Sequence, residues 1–303
     1  MSDLSNIVLG LWPIAGVTTI GVTRDDARDT IRAAIDSGVT HFDTAYSYGY
    51  DGESDRVLRE FVQSAPGRYH IMGKVGQRWD ADHNRVVDGS PKQLIADAEE
   101  HLQRIGLEQI DLLYLHSPDP NVEIELSAET MAKLQHRGLC KTVGLCNATL
   151  DQIRQFASVV PCDAIQCPLN LIQRDSIEDL IEPVSKSGTK VYVFWTLMKG
   201  LLAGKIKRDH VFAEGDSRPK YPIFQGDQRR KAHEVIDLLE VIGKDHAMTV
   251  AQVSIGWALS QPGVSGVLVG ARRPTQITET LKSHALPADA LREIDDKVKS
   301  LFA

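Results

Sequence analysis

The chain lacks any apolar run long enough to cross a bilayer, which takes about 20 consecutive apolar residues, so no membrane-spanning role is expected. It lacks a basic N-terminal patch followed by an apolar stretch, and Met1-Ser2-Asp3-Leu4-Ser5-Asn6 does not read as a secretory leader. Long basic runs and basic–aromatic interleaving are absent. The net charge is −7, from 34 Lys and Arg against 41 Asp and Glu, which argues against nucleic acid or an anionic membrane as partner. Cysteines are few. Cys140, Cys146, Cys162 and Cys167 form no Cys-x-x-Cys pair, and a chain of 303 residues needs no disulfide staples, so reduced buried thiols and a cytoplasmic location are expected. The ten histidines show neither helical pairing nor Cys/His spacing, so no metal is expected. An early Gly-x-Gly-x-x-Gly turn is missing, which weighs against a doubly wound dinucleotide-binding sheet.

Apolar residues make up 42% and charged residues 25%, the balance of an ordinary globular protein. Eight β-rich apolar segments recur, at 7–12, 39–43, 69–75, 110–116, 141–147, 163–168, 190–195 and 264–269. They are near-continuous runs, as strands covered on both faces should be. Helical patterns lie between them. One runs over 23–37 from Thr23 and stops at Gly38; another follows at 52–64; a third has Ser90 at its N-cap and Pro91 at N1 and runs to 105. Further patterns cover 126–137 before Gly138, a capped start at Thr149, 176–187 before Gly188, 228–246, 250–261, 274–284 and 287–301. The sustained alternation, with no composition shift or linker, predicts an α/β fold: a (β/α)8 TIM barrel in which 1–303 form a single domain. The stretch 204–226 is irregular and rich in Gly, Pro and charge, and a loop of that length in a compact domain is usually functional, such as a lid.

In a parallel barrel the C-terminal strand ends share one face, where chemistry sits. The second predicted strand ends in Asp43, the third reaches Lys74 and the fourth ends in His116, while Tyr48 lies five residues past Asp43 in the loop at the same rim. Singly these residues are ordinary: an Asp capping a turn, a snorkelling Lys, a hydrogen-bonded core His, a packing Tyr. On adjacent strand ends they form a device. Lys74 partners a carboxylate that would be expensive to bury alone. A fixed positive charge beside Tyr48 is expected to lower the phenol pKa from about 10 towards the working range. His116 is placed to polarise a substrate oxygen, and Tyr48 suits a general acid for a developing alkoxide, or a base in reverse. That is carbonyl/alcohol redox chemistry on a small molecule, and it requires a hydride carrier, because no side chain supplies hydride.

Gly38-Val39-Thr40-His41-Phe42-Asp43-Thr44-Ala45 with Tyr48-Gly49, then Gly73-Lys74, then Tyr114-Leu115-His116, resemble the aldo-keto reductase superfamily. Later segments match in order, so the resemblance runs over essentially the whole chain, and it looks most similar to bacterial members of the open-chain sugar, polyol and pyridoxal type. It implies an NADP(H)-dependent reductase, with NAD(H) as the alternative cofactor, and carries the family's catalytic tetrad onto Asp43, Tyr48, Lys74 and His116. Gly144-Leu145-Cys146-Asn147 stands where the family has Gly-Val-Ser-Asn. Asn147 and Gln166 are therefore expected on the nicotinamide carboxamide, and Cys146 replaces the usual Ser. Phe194-Trp195-Thr196-Leu197 takes the place of Tyr-Ser-Pro-Leu, with Phe194 expected to stack on the nicotinamide and Trp195 to offer its backbone N–H to the pyrophosphate.

The resemblance implies that the glycine-rich turn from Gly200 brings Lys205, and more loosely Arg218, to the pyrophosphate; a solvated loop lysine is the alternative for Lys205. The run Gly270 to Thr280 matches the adenosine-phosphate motif. There the resemblance implies Arg272 and Arg273 on a 2′-phosphate and Gln276 and Glu279 on the ribose and adenine side, with Thr280 replacing a common Asn. Trp12, at the end of the first strand and counted with the cofactor residues as well, and Trp79 are expected to wall the substrate beside Tyr48 and His116. The family often begins with a β-hairpin sealing the barrel bottom, for which the early first strand leaves little room. The leading expectation is reduction of an aldehyde or ketone to an alcohol. The alternatives are an NAD(P)-dependent sugar or pyridoxal dehydrogenase working oxidatively, and a non-catalytic nucleotide-sensing subunit.

Overall fold

The computed structural model describes residues 6–17, 19 and 21–302. Residues 1–5, where most of the segment expected not to be a leader falls, lie outside the described residues. In chain order the strands are β1 (Ile7–Gly10), β2 (His41–Asp43), β3 (His70–Val75), a hairpin of β4 (Gln77–Trp79) and β5 (Arg85–Val87), β6 (Ile110–Leu115), β7 (Cys140–Cys146), β8 (Ala164–Pro168), β9 (Lys190–Phe194) and β10 (Gly266–Gly270). All but the hairpin close into a parallel barrel in the order β1-β2-β3-β6-β7-β8-β9-β10 and back to β1. The eight expected segments are its eight strands, each trimmed at one end, with β7 and β10 reaching one residue further at the other.

The helices are α1 (Arg24–Asp36), α2 (Glu53–Val62), α3 (Pro91–Ile105), α4 (Ile124–His136), α5 (Leu150–Val159), α6 (Glu182–Ser185), α7 (Gly226–Asp245), α8 (Val250–Leu259), α9 (Pro274–Thr280) and α10 (Ala288–Phe302). Reciprocal capping boxes start α1 at Thr23 and α5 at Thr149, satisfying orphan N–H groups at each end. Ser90 stands at the N-cap of α3 as expected, but its side chain makes no capping bond. The helix expected over 176–187 is divided: a wide turn over Ile177–Ile181 feeds the short α6. Pro183 explains it, because it has no N–H for the ladder and its ring crowds the preceding turn.

Side chains alternate across each strand, so every second residue faces the barrel interior. Val8, Met72, Leu112, Tyr114, Cys146, Ala164, Tyr192 and Leu268 fill it as one cluster. The opposite parity, with Phe42, Ile71, Leu113, Val143, Ile165, Val191 and Val267, packs outward beneath the helices, against residues such as Ile31, Leu58 and Leu102. Gly144 is required by this interior: a Cβ there would lie 2.7 Å from the Tyr114 ring. Continuing the inward parity one step up β3, β6 and β8 leads from Met72 to Lys74, from Tyr114 to His116 and from Ala164 to Gln166. The apolar filling thus ends on a polar layer at the C-terminal mouth.

Candidate active site

At that mouth Asp43 and Lys74 are each 1% exposed. Lys74 Nζ donates to both carboxylate oxygens of Asp43 at 2.6 Å, to the Thr44 carbonyl at 3.0 Å and to the Tyr48 hydroxyl at 3.0 Å. The Tyr48 hydroxyl lies 3.4 Å from Asp43 Oδ2, to which it donates. The His116 backbone N–H bonds the Val75 carbonyl at 2.9 Å, which sets its ring 6.0 Å from the Tyr48 ring at 70°. The four residues expected to converge do so. The loop that aims Tyr48 needs Gly49, which has φ +102, and a Cβ there would lie 2.7 Å from the Glu53 backbone nitrogen.

A second buried layer supports the first. Thr44 Oγ1 donates to Asp55 at 2.6 Å, and the other Asp55 oxygen meets His101 Nδ1 at 2.7 Å. Gly73 makes room for it, since a Cβ there would lie 2.6 Å from His101 Nε2. Nothing in the spacing of Asp55 and His101 announces the pair, because the two come from α2 and α3.

Electrostatics follow from this geometry. Burial is the largest influence on Lys74 and pulls its pKa down, but Asp43 and then Tyr48 outweigh it and hold the ammonium above its ordinary value. For Tyr48 the expected lowering is overturned. Burial raises the phenol pKa, the opposing pull of Lys74 is partly cancelled by Asp43, and the net direction is up. Ammonium and carboxylate so close together present the phenol with a dipole rather than a net charge. Burial, then Lys74 and Arg85, push His116 well below the usual histidine range, so its imidazole is neutral near pH 7. A protonated phenol beside an ammonium and a neutral imidazole can offer a carbonyl oxygen a proton and a hydrogen bond from one rim.

Around the strand ends stand the residues expected on a cofactor. Gln166 is buried; one N–H of its amide donates to Asp43 Oδ1 at 2.7 Å, and its oxygen takes a long contact from the Cys146 thiol at 3.9 Å. Asn147 has φ +56, and its amide nitrogen bonds the His116 carbonyl at 3.0 Å and Cys146 Sγ at 3.2 Å. Cys146 faces the barrel interior with its thiol pushed up by burial to about 12, so it is un-ionised. Phe194 packs on the same interior cluster. Trp195 has φ +68, and its ring meets Tyr221 edge-on at 5.4 Å. Leu197 opens a turn in which Met198, Lys199 and Gly200 have φ of +44, +50 and +90, a run that non-glycine residues rarely adopt.

Lys205 is exposed, and Arg218 is committed to Asp216 through Nε at 3.0 and 3.1 Å. Gly270 ends β10. The two arginines expected on a 2′-phosphate separate. Arg273 is tied to Asp26 at 2.6 Å and to the Gly21 carbonyl at 3.1 Å. Arg272 bonds no carboxylate among the described residues, and burial, then Arg218 and Arg273, pull its pKa down. Gln276 accepts from the Arg272 backbone N–H at 2.9 Å, and Thr280 spends its hydroxyl on the Gln276 carbonyl of its own helix at 3.0 Å. Buried polar atoms normally have partners. Trp195 Nε1, Thr196 Oγ1 and Glu279 Oε1 are buried and have none among the described residues. With the uncommitted Arg272, they fit a long polar ligand such as a nicotinamide nucleotide.

Trp12 lies just past β1, in a short 3-10 turn over Trp12–Ala15, with its ring 5.2 Å from that of Tyr48. Trp79 sits on β4, and its indole N–H donates to the Ser47 carbonyl at 2.9 Å. Trp12 thus stands beside the Tyr48 ring, and Trp79 borders the loop that carries Tyr48. What the sequence reading missed is Arg85, whose guanidinium lies 5.0 Å from the Trp12 ring and 4.7 Å from the Trp79 ring. The signal was present: the turn-rich run Asp80 to Asn84 between Trp79 and Arg85-Val86-Val87 is a hairpin pattern. Among the described residues no group of three or more His, Cys, Asp or Glu is placed to hold a metal, and no helix is long and apolar enough to cross a membrane.

A family model described as the aldo/keto reductase family matches residues 6–299. Aldo-keto reductase YhdN of Bacillus subtilis (strain 168) is 30% identical over 277 residues, covering 91% of this chain and 83% of that protein. The NADH-specific methylglyoxal reductase of Escherichia coli (strain K12) is 27% identical over 293 residues, covering 92% of this chain and 89% of that protein. Among solved structures, the glycerol dehydrogenase AKR11B4 from Gluconobacter oxydans superposes with a TM-score of 0.90 at 30% identity, covering 98% of this chain and 92% of that one.

Proposed function

The chain belongs to the aldo/keto reductase family and is an oxidoreductase of carbonyl and alcohol groups; from that premise we propose that it is an NADP(H)-dependent reductase of aldehydes or ketones in which Tyr48 is the general acid. The observation that carries this reading is the simultaneous bonding of Lys74 to Asp43 and Tyr48 beside a neutral His116. When bound, the nicotinamide nucleotide supplies the hydride to a carbonyl carbon, or accepts it in reverse. Tyr48 delivers its proton to the carbonyl oxygen, His116 hydrogen-bonds that oxygen, and Lys74 stabilises the phenolate left behind. Asp43 keeps Lys74 in place and charged. The high Tyr48 pKa is matched by the developing alkoxide, a far stronger base than water, which takes the proton.

Asn147, the Gln166 oxygen, Phe194, Thr196, Arg272 and Glu279 would hold the nucleotide, and the 204–226 stretch would act as its lid, docked through Tyr221 on Trp195. NAD(H) is the second reading. It is favoured by the commitment of Arg273 to Asp26, which leaves one arginine for a 2′-phosphate, and by the NADH-specific reductase among the relatives. Turnover of an aldehyde panel with NADPH and NADH, and of glycerol and aldoses with NADP and NAD, tests the reading. Activity on carbonyls with NADPH supports it; tight nucleotide binding with no turnover of any carbonyl or alcohol would move the assignment to a nucleotide sensor. Arg272→Ala should raise the KM for NADPH at least 10-fold more than that for NADH, whereas Arg273→Ala should change the two alike. Equal effects of Arg272→Ala on both would refute the 2′-phosphate assignment.

A further inference from the structure

The hairpin β4–β5 places Arg85 over the site, and no hydrogen-bonded carboxylate answers it among the described residues. Its guanidinium is held by faces rather than by charges: the Trp12 ring at 5.0 Å and the Trp79 ring at 4.7 Å. Trp12 itself stands 5.2 Å from the Tyr48 ring, so guanidinium and phenol are one indole apart. The ionisable groups whose fields couple to Arg85 are Tyr48, Tyr221 and His116, none of them a carboxylate. Across the mouth a second cation, Lys199, lies 4.6 Å from the Tyr221 ring and 5.7 Å from the Trp195 ring. Asp216, an acid whose carboxylate feels the Lys199 charge, is already bonded to Arg218. Arg85 and Lys199 therefore stand at the mouth with no carboxylate bonded to either among the described residues, in a chain whose net charge is −7. Cations on the walls of a cleft concentrate anions there.

We propose that Arg85 is an oxyanion-recognition residue, and that this enzyme prefers carbonyl substrates carrying a carboxylate or phosphate a few bonds from the reacting carbon. The proposal rests on the reductase reading of the same site. Two indoles fix the plane of the guanidinium, so its N–H groups are pre-aimed and little side-chain entropy is lost when an anion binds. Trp12 and Trp79 then clasp the apolar part of the substrate, and Arg85 selects its charged end. A hydrogen bond to a charged group contributes about 1.5–3 kcal/mol, which corresponds to roughly 10- to 150-fold in kcat/KM.

The test compares matched pairs, succinic semialdehyde with butanal and glycolaldehyde phosphate with glycolaldehyde, in wild type, Arg85→Gln and Arg85→Lys. The proposal expects the anionic-to-neutral ratio of kcat/KM to fall roughly 10- to 150-fold in Arg85→Gln, through KM, for at least one pair, with part of it restored in Arg85→Lys. The pair that responds identifies carboxylate or phosphate as the preferred group. Equal losses on charged and neutral members in both pairs would mean that Arg85 only braces the two indoles, and would overturn the proposal, as would no loss at all. A second readout is independent of turnover: quenching of tryptophan fluorescence by sodium succinate and by inorganic phosphate should saturate in wild type for the anion whose pair responds, and not in Arg85→Gln. Should the wild type turn over no aldehyde, the reductase reading fails while this titration still decides the anion site.

Discussion

Removing one partner of the Asp43–Lys74 pair should cost far more stability than removing both. Each side chain is 1% exposed, and Nζ lies 2.6 Å from both carboxylate oxygens. In Asp43→Asn the ammonium keeps the Thr44 carbonyl and the Tyr48 hydroxyl, each at 3.0 Å, and at most the amide oxygen of the substituted side chain, none of them charged. In Lys74→Met the carboxylate keeps the Gln166 amide at 2.7 Å and a long contact to Tyr48 at 3.4 Å. Breaking a buried pair this way costs about 3–5 kcal/mol, because a desolvated charge is left without its counter-charge. Replacing both charges is often close to neutral, so Asp43→Asn/Lys74→Met should recover to within about 2 kcal/mol of wild type. Urea unfolding at pH 7 measures all four proteins. The Lys74 pKa is raised on folding, so its contribution is fully present below the unfolded value of about 10.4 and is lost only as pH rises through the folded one. pH 7 therefore lies well inside the window. Single losses below about 1 kcal/mol that simply add in the double variant would refute the buried, mutually dependent pair. The double variant should remain inactive, which separates the pair's chemistry from its effect on stability.

His116 gives a pH test. Its folded pKa lies well below the usual 6.5, so its contribution is complete above that value and is lost as pH falls, when the unfolded chain binds a proton the folded one refuses. His116→Gln should flatten the stability curve below pH 6.5 by up to about 1.4 kcal/mol per pH unit, with the shifted His70 and His233 leaving a residual slope; an unchanged slope would show that His116 protonates freely in the fold. Gly144→Ala should destabilise by about 1–3 kcal/mol, since the new methyl group meets the Tyr114 ring in a filled barrel, and thermal unfolding at wild-type temperature would contradict that packing.

The barrel was legible because its strands are apolar on both faces and its helices carry their own start and stop signals, Thr23 and Thr149 among them. The Asp43, Lys74 and His116 constellation was legible for a related reason: a parallel barrel sends every strand end to one rim, so position along the chain becomes position in space. What resisted reading depends on side-chain direction and on competition between partners. Gln166 lies at the expected strand end, but its amide turns to Asp43. Arg272 and Arg273 are adjacent in sequence, yet Asp26, an α1 residue, takes one of them. The Tyr48 pKa follows from burial and from the nearness of Asp43 to Lys74, neither of which spacing reveals. Arg85 was easily passed over because β4 and β5 are three residues each, so the turn-rich run between them, and no hydrophobic pattern, marks the hairpin.

The most direct test of the account is Tyr48→Phe, with NADPH binding and carbonyl turnover measured on the same protein. The variant keeps the ring that packs on Trp12 and loses only the hydroxyl at Lys74 Nζ. The account predicts nucleotide affinity within about threefold of wild type, under 1 kcal/mol, and a kcat reduced at least 100-fold, as expected for loss of a positioned proton donor. A Tyr48→Phe enzyme that reduces its carbonyl substrates at the wild-type rate would contradict it.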